Sequence, residues 1–348
     1  MNFKRVVDHC VKHKFLSPHF DKFSFLGDAL QNRIEQEWIR SNVTQNSNAL
    51  LINREPILNQ INVELVNLFL NAQSLMGSCS SLSLASITSV EKNSRAIEDV
   101  TSLSDLIEAL PQTHLNLCTL TQPAHKNDEF IRLQKTRRHW WKSYLQQPVL
   151  FNTTSSASLH ETFVEQKIEF GSPALGLESF EVLKIYKPDV FADLQLNEEI
   201  KKSLMVKFQR KSSYPYLITS QVKLELAVCF FLTDAYFTRN KASVLSLHKS
   251  LAPYAVGFVV EGSPTRMIEL EDLRRLMSLE FKQSRISVLP LSAPWTIAQC
   301  DARGMPYLIY LSDSTLEQGI CGLRSRDTTL QEQVHVSDVV ERLKKFLV

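Results

Sequence analysis

Glycine is scarce in this sequence: its 348 residues include only nine glycines, whereas about 7% is usual. Loops that bind phosphate groups need closely spaced glycines, because a bare backbone must wrap the phosphate. No GxGxxG, GxSxG or HExxH motif occurs. Gly257 and Gly262 have the spacing of a P-loop, but Ser263 and Pro264 follow where a lysine is needed. The sequence therefore lacks the common nucleotide-binding and hydrolase motifs.

Clustered cysteines, strong net charge and long apolar runs are also missing. The six cysteines are scattered without a CxxC pair, which argues against structural zinc and is typical of buried thiols in a reducing compartment. The formal net charge is only +2, so a nucleic-acid surface has to be a local patch. The longest apolar stretch, Leu224–Leu232, contains Glu225 and is too short to span a membrane. We expect a soluble intracellular protein without membrane association.

The N-terminal segment has two possible roles. Residues 3–15 place apolar side chains on one helical face and most basic ones elsewhere, as an organelle import signal does. The alternative, a first helix of the folded domain, is favoured by Asp8 and by the lack of a serine-rich stretch. His9 and His13 stand four apart in this helix, but no third ligand is near them in sequence, so we expect no metal site.

The chain up to about residue 232 mixes helical and strand-like periods. Helical spacing predicts helices over residues 23–40 and within Pro56–Leu75, and a period of two predicts a strand around residues 82–87. We expect irregular structure over Val149–Ser213. Residues 221–232 alternate and then become wholly apolar, which predicts a strand entering a core.

The sharpest pattern lies in Phe130–Leu145. At 100° per residue its aromatic side chains fall within an arc of about 100°, and Arg137 falls among them, where it can stack on a tryptophan. The helix either docks by this aromatic face with a solvated basic back, or uses the basic back to contact phosphates. The basic back consists of Arg132, Lys135, Arg138, His139 and Lys142.

The last hundred residues alternate between strand and helix signals. This order implies a small mixed sheet with helices on its faces, and we place the domain at residues 248–348. The turn before the final strand region contains Gly319. The predicted strands are Tyr254–Val260, Ile286–Leu289, Tyr307–Leu311 and Ile320–Val336, and the predicted helices are Met267–Lys282, Thr296–Ala302 and one that begins after Ser337-Asp338.

The segment Asp313–Val336 (DSTLEQGICGLRSRDTTLQEQVHV) carries a resemblance to known families. It is similar to the end of a class II aminoacyl-tRNA synthetase anticodon-binding domain, and more closely to the accessory (beta) subunits of mitochondrial DNA polymerase gamma, in an insect-like form. Agreement is weak over residues 44–128 and 150–220. The matching blocks are Thr315-Leu316-Glu317, Gly319, Leu323–Thr329, Arg5–Ser17, Phe23–Trp38, Arg138–Lys142 and Phe237–Pro253.

The resemblance implies an α/β (α+β) protein of two domains. Residues 1–247 would form a degenerate class II synthetase-like domain built on an antiparallel sheet, followed by an anticodon-binding-like mixed α/β domain over residues 248–348. Synthetase activity is not expected, because the glycine-rich third motif is missing and the Arg-x-Glu at Arg33–Glu35 lies in a predicted helix. No catalytic residue, cofactor or metal is expected.

The function that the resemblance implies is that of a non-catalytic processivity subunit. Such a protein binds the polymerase gamma catalytic subunit and strengthens its hold on primer-template DNA in the mitochondrial matrix, at the nucleoid. The alternatives are a tRNA- or RNA-binding synthetase paralogue without ligase activity, and a degenerate but active ligase.

Two sets of interface residues follow. Leu343, Phe346 and Leu347 are many apolar residues for a helix end, so part of them must be buried in the domain or against a partner; the resemblance favours a partner. The predicted partner-binding residues are Gly319, Leu323, Leu343, Phe346 and Leu347. The predicted DNA-binding residues are Arg132, Lys135, Arg138, Lys142, Arg239 and Lys241.

We expect binding to duplex or primer-template DNA to be weak, non-specific and salt-sensitive. In the block around Arg239, Asn240 and Ala242 stand where vertebrate relatives look more basic.

The predicted stoichiometry rests on the segment Glu55–Met76. Vertebrate members of the family dimerise through a long helical insertion here, but this chain has room for only one amphipathic helix. We therefore expect a monomer in isolation and a one-to-one complex with the catalytic subunit. The alternative is a small two-fold contact through Leu65, Leu68 and Phe69.

Overall fold

The computed structural model describes residues 3–52, 61–77, 79–90, 103–156, 163–208, 211–289 and 295–347. Two main sheets organise these residues, one of seven strands in the N-terminal part and one of four strands in the C-terminal part. Within the described ranges, no helix combines the length and apolarity that crossing a membrane requires.

The N-terminal part alternates helices with strands of three to ten residues. A π-helical turn, Arg40–Thr44, continues its second helix. In chain order the elements are α1 Phe3–Lys12, α2 Phe25–Ile39, β1 Ala49–Ile52, α3 Val63–Met76, β2 Ser81–Val90, α4 Leu103–Ala109, β3 Gln112–Thr121, α5 Lys126–Tyr144, β4 Asn152–Ser156, β5 Val164–Ser172, β6 Leu177–Tyr186, α6 Glu198–Leu204, β7 Val206–Phe208, β8 Lys211–Ser213, β9 Tyr216–Lys223, α7 Leu224–Ala235, β10 Tyr236–Arg239 and β11 Ala242–Leu245.

The seven-stranded sheet has the order β1-β2-β3-β9-β6-β5-β4. Its neighbours run antiparallel except for the parallel pair β1–β2. The alternation along β3 sends Leu115 and Leu117 into a core with α2, α5 and α7, and Cys118 into a second core under α3. The sheet is thus covered by helices on both faces.

The C-terminal part forms the smaller sheet, with the order β12-β13-β14-β15. The pair β12–β13 is parallel and the other two pairs are antiparallel. Met305 and Leu308 extend the N-terminal core into this part, so the two sheets adjoin. The elements are β12 Val256–Glu261, α8 Met267–Gln283, α9 Ile297–Ala302, β13 Tyr307–Ser312, α10 Asp313–Gln318, β14 Ile320–Ser325, β15 Gln331–His335 and α11 Val339–Leu347.

The predicted fold class is confirmed: a largely antiparallel sheet precedes a small mixed α/β unit. The amphipathic helices at 23–40 and 267–282 are present as α2 and α8. Helix α1 buries Val6, Val7 and Cys10, so it packs as the first helix of the folded chain. The helix predicted within Pro56–Leu75 is α3, although residues 53–60 lie outside the described part.

Two predictions in the N-terminal part are wrong. Residues 224–232 are not a strand but most of α7, because β9 ends at Lys223. Every residue of α7 is buried, so no polar face leaves a helical period in the sequence. Val149–Ser213 is not irregular: β5 and β6 belong to the large sheet, and β6 pairs with the central β9.

Two predictions in the C-terminal part also need correction. Ile286–Leu289 is no full strand, since only Val288 makes an isolated bridge, to Val256. The region Ile320–Val336 is a hairpin of β14 and β15 rather than one strand. Helix α10 fills the space between β13 and β14 that was expected to be a turn, and Gly319 ends this helix.

Candidate functional site

Helix α5 is fixed to the large sheet by a buried polar cluster. Arg137 Nε donates to Glu181 Oε1 over 2.7 Å, and both side chains are inaccessible to solvent. Ser220 Oγ donates to the same carboxylate at 2.6 Å, and the Trp141 indole N–H donates to its other oxygen. The Arg137 guanidinium lies 4.6 Å from the Trp140 ring centroid, which confirms the predicted stacking. The pair links α5 to the large sheet through a fully hydrogen-bonded carboxylate, whereas Arg137 Nη1 and Nη2 have no hydrogen-bond partner within the described residues.

The predicted basic back of α5 divides into two surfaces. Lys135, Arg138 and Lys142 lie on one exposed strip, which we call the outer strip. Arg132 lies on another side of the helix and donates to both oxygens of Glu129, at 2.9 and 2.6 Å. Part of the charge of Arg132 is therefore already neutralised.

The other two predicted DNA-binding residues lie on the β10–β11 hairpin. Arg239 donates to the backbone carbonyl of Arg326 at 2.8 Å and stacks on Phe237 at 5.2 Å. Lys241 is exposed in the hairpin turn, with a positive φ of 67°. Lys241 is thus accessible to a ligand, whereas Arg239 is half-buried and partly committed to the fold.

Gly319 has the backbone conformation that its role requires. Its φ is +70°, in the left-handed region that glycine adopts without steric cost. A Cβ atom at this position would lie 2.6 Å from His335 Nε2 on β15. The residue therefore sets the geometry with which α10 turns into β14.

The structure corrects the predicted partner-binding set. Leu323 and Leu343 are 2% and 0% exposed, inside the C-terminal core. A partner cannot touch them while the chain stays folded. Phe346 and Leu347 are half-buried against the same core, and Phe346 stacks on Tyr307 at 5.6 Å.

The predicted partner-binding residues do not include an apolar surface on α8. Three of its large side chains point away from the core. Ile268, Leu276 and Leu279 are 76%, 64% and 56% exposed. The helix buries Leu270, Met277 and Phe281 on its other side, so it is apolar on two faces.

The segment Leu323–Thr329 carries part of the family resemblance, and several of its residues have structural roles. Arg326 is 1% exposed and donates to three backbone carbonyls. The acceptors are the carbonyls of Leu245, Leu247 and Gly304, at 3.1, 2.8 and 2.8 Å. Burial lowers the pKa of Arg326, while the neighbouring Asp327 raises it. This arginine ties β14 to the β10–β11 hairpin across about 80 residues of chain.

A second arginine of this segment is also structural. Arg324 forms a two-pronged ion pair with Asp301, with N···O distances of 2.8 and 3.0 Å, and both side chains are largely buried. What the sequence shows of these structural roles is two arginines beside an apolar strand. Because their hydrogen-bond partners are distant in sequence, the sequence alone does not reveal the contacts.

The two N-terminal histidines lie together in the interior. Their ring centroids are 4.4 Å apart. His9 Nε2 donates to the Ala302 carbonyl at 2.7 Å, so its Nδ1 accepts from Ser243 Oγ at 2.9 Å. Burial lowers the pKa of His9 and of His13 to about 4. No group of three potential metal ligands occurs in the part of the chain that the structure describes.

Comparisons with known proteins bear on this geometry. Residues 285–346 match the family model described as an anticodon binding domain. Relatives named "DNA polymerase subunit gamma-2, mitochondrial" occur in Xenopus laevis, 27% identical over 61% of this chain and 48% of theirs, and in Drosophila melanogaster, 24% identical over 67% and 66%. "DNA polymerase subunit gamma-2" of Bos taurus is 30% identical over 40% of this chain and 31% of its own.

These similarities confirm the predicted resemblance to polymerase gamma accessory subunits and to synthetase anticodon-binding domains. The chain spans about half the length of the Xenopus relative and just under two thirds of the Drosophila one. The family model begins at residue 285, inside the domain predicted to start at 248.

Proposed function

We propose that the chain, a relative of DNA polymerase gamma accessory subunits, binds the polymerase catalytic subunit and strengthens its hold on primer-template DNA. In this role it performs no catalysis itself. The observation that carries the proposal is the similarity to proteins named as polymerase gamma subunits, which reaches 67% of this chain. The names of the Xenopus and Drosophila relatives support the mitochondrial location predicted from the resemblance.

We assign the catalytic-subunit contact to the C-terminal unit, which we take as residues 248–348. Gly319, Phe346 and Leu347 remain available there, since each is partly exposed. The exposed residues Leu276 and Leu279 on α8 add apolar area that a partner would cover.

We assign the contact with duplex DNA to the outer strip. Lys135, Arg138 and Lys142 are exposed on one side of a helix that the buried Arg137–Glu181 pair holds in place. Three exposed cations give weak, non-specific binding that falls steeply with salt, because each phosphate contact releases counterions.

Primer extension with a family A mitochondrial polymerase catalytic subunit tests the proposal. Wild-type chain should co-purify with that subunit and lengthen its products. The double variant Leu276→Asp/Leu279→Asp should lose both effects, because it places charge on the proposed contact surface. Val149→Asp is the matched control, since Val149 is 88% exposed but lies in the N-terminal part. Absence of co-purification by the wild-type chain contradicts the proposed function.

The anticodon-binding match over residues 285–346 favours one second candidate, a tRNA- or RNA-binding synthetase paralogue. Filter binding of total tRNA separates the two functions. Tight tRNA binding without any effect on primer extension would replace the first proposal by the second.

A further inference from the structure

A groove lies along α5, on a different side of the helix from the outer strip. It has a volume of about 550 Å³ and is bounded by the end of α2, the π-helical turn with the residues just after it, and α5. Four α5 residues at spacings of four, three and four form one wall. They are Arg132, Thr136, His139 and Ser143. We call this cavity the α5 groove.

The opposite wall has an unusual backbone. The turn Arg40–Thr44 is π-helical, and Gln45 N–H closes it by donating to the Arg40 carbonyl at 3.0 Å. Asn42 is buried and anchors the turn through a 2.8 Å hydrogen bond to the Trp38 carbonyl. A π-turn is a common way for an α-helix to end at its C-terminus, and here it extends α2 by one turn. The turn brings Arg40 and Ser41 into the lining.

The lining is rich in hydrogen-bond donors. Its cationic side chains are Arg40 and Arg132, and His139 is exposed. Its carboxylate, Glu37, accepts from the Tyr144 hydroxyl at 2.8 Å and lies 3.7 Å from Arg40 Nη1, so the charge of Arg40 is partly neutralised, as that of Arg132 is by Glu129. The remaining polar lining consists of Ser41, Gln45, Asn46, Ser47, Thr136 and Ser143. Hydroxyl and amide groups beside arginines are the set that contacts phosphate and sugar oxygens.

Size and aromatic content narrow the ligand further. The volume falls within the range of about 300–1,000 Å³ typical of small-ligand clefts. A DNA duplex, whose major groove alone is about 12 Å wide, is too large to enter such a cleft. Trp140 and Tyr144 border the groove as well, but Trp140 is only 4% exposed and the Tyr144 ring packs against Trp140 and Phe231. Without a free aromatic face on which bases stack, a strand in this groove is held by its sugar-phosphate backbone.

We propose that the α5 groove binds a single-stranded segment of nucleic acid through its sugar-phosphate backbone. The inference rests on the proposed function, because a primer-template carries a single-stranded template next to its duplex. In that arrangement the outer strip contacts the duplex and the α5 groove takes the strand beyond it. Since Arg132 is partly neutralised by Glu129, single-strand binding has a shallower salt dependence than duplex binding.

Fluorescence anisotropy of the full chain with labelled oligo-dT, oligo-U and a blunt duplex tests the assignment. The groove variant Thr136→Glu/His139→Glu should weaken oligo-dT binding at least tenfold and leave duplex binding within twofold. The matched variant Lys135→Gln/Arg138→Gln changes the formal charge by the same two units outside the groove. It should weaken duplex binding and spare oligo-dT.

Equal losses of affinity for oligo-dT and for the duplex in both variants would overturn the proposal. Failure of the wild-type chain to bind either single strand would also overturn it. If the first groove variant is unfolded in a thermal melt, Arg40→Gln/His139→Gln replaces it with the same expectation. Equal binding of oligo-dT and oligo-U supports backbone recognition, and a preference for oligo-U keeps the site but assigns its ligand to RNA. Primer extension is scored separately. If the chain binds single strands through the α5 groove but does not stimulate the polymerase, the proposed function is refuted and the single-strand site is kept.

Discussion

At the scale of single residues, Gly319 joins α10 to β14 in a left-handed conformation. Gly319→Glu forces a side chain into that conformation, which costs about 1–2 kcal/mol, and pushes against the exposed ring of His335. We expect this modest loss in the free energy of unfolding and a larger, at least tenfold, loss in binding to the catalytic subunit. Thermal melts and pull-down assays measure the two effects.

Gly176→Glu is the control for this prediction, because Gly176 is also left-handed but would place its Cβ in open space. It should show the backbone cost without the loss in binding. An unchanged pull-down by Gly319→Glu would remove Gly319 from the interface.

The buried histidines predict an acid-sensitive fold. Burial, aided by Lys12 and Arg303, lowers the pKa of His9 from 6.5 to about 4. As the pH falls below 6.5, His9 becomes protonated in the unfolded chain but stays neutral in the folded chain. The free energy of unfolding therefore decreases between about pH 6.5 and 4. At about 1.4 kcal/mol per pH unit, His9 accounts for up to about 3 kcal/mol.

Urea denaturation at pH 7, 5.5 and 4.5 measures this loss. His9→Gln, which can still donate to the Ala302 carbonyl, should have a flatter pH dependence than the wild-type chain. The same slope in both proteins would show that other groups cause the acid sensitivity.

At the scale of elements, α11 serves its own unit before any partner. Lys249 Nζ donates to the Phe346 carbonyl at 2.6 Å, and the Phe346 ring stacks on Tyr307. Deleting Lys344–Val348 should therefore lower the melting temperature as well as the stimulation of primer extension. The remaining chain should stay soluble, because Leu343 continues to fill the core.

The variant Lys345→Ala, at an exposed residue, is the control for loss of stability, since it leaves the stacked Phe346 ring in place. It should have the wild-type melting temperature. Full stimulation by the truncated chain would exclude the end of α11 from the polymerase contact.

At the scale of the whole molecule, the prediction concerns the number of copies in solution and in the complex. Leu65 and Phe69 are each 1% exposed, because α3 packs them against the large sheet. The alternative two-fold contact thus loses two of its three residues, and an obligate interface usually buries more than about 2,000 Å². We expect a monomer, and a one-to-one complex with the catalytic subunit.

Light scattering at micromolar concentration checks this prediction. The isolated chain should have a mass near 39.8 kDa. A mass near twice that value, or two copies per catalytic subunit in the purified complex, would contradict it.

The sequence by itself determined the elements whose burial is one-sided. Helices α2 and α8 each bury a stripe on one side, and such a stripe leaves a period of 3.6 in the sequence. The stacking of Arg137 on a tryptophan follows from the same local spacing. The family resemblance is equally local, because it rests on short runs of adjacent residues such as Leu323–Thr329.

The tertiary structure alone decided what depends on residues far apart in the chain. Helix α7 is buried on all sides, so its own sequence has no period that separates it from a strand. Two of the three carbonyl acceptors of Arg326 lie about 80 residues upstream, in Leu245 and Leu247. The basic back of α5 divides in two because the turn Arg40–Thr44 lies beside one side of it. Such contacts leave no periodic trace, since a local pattern records only that a face is covered and not which element covers it.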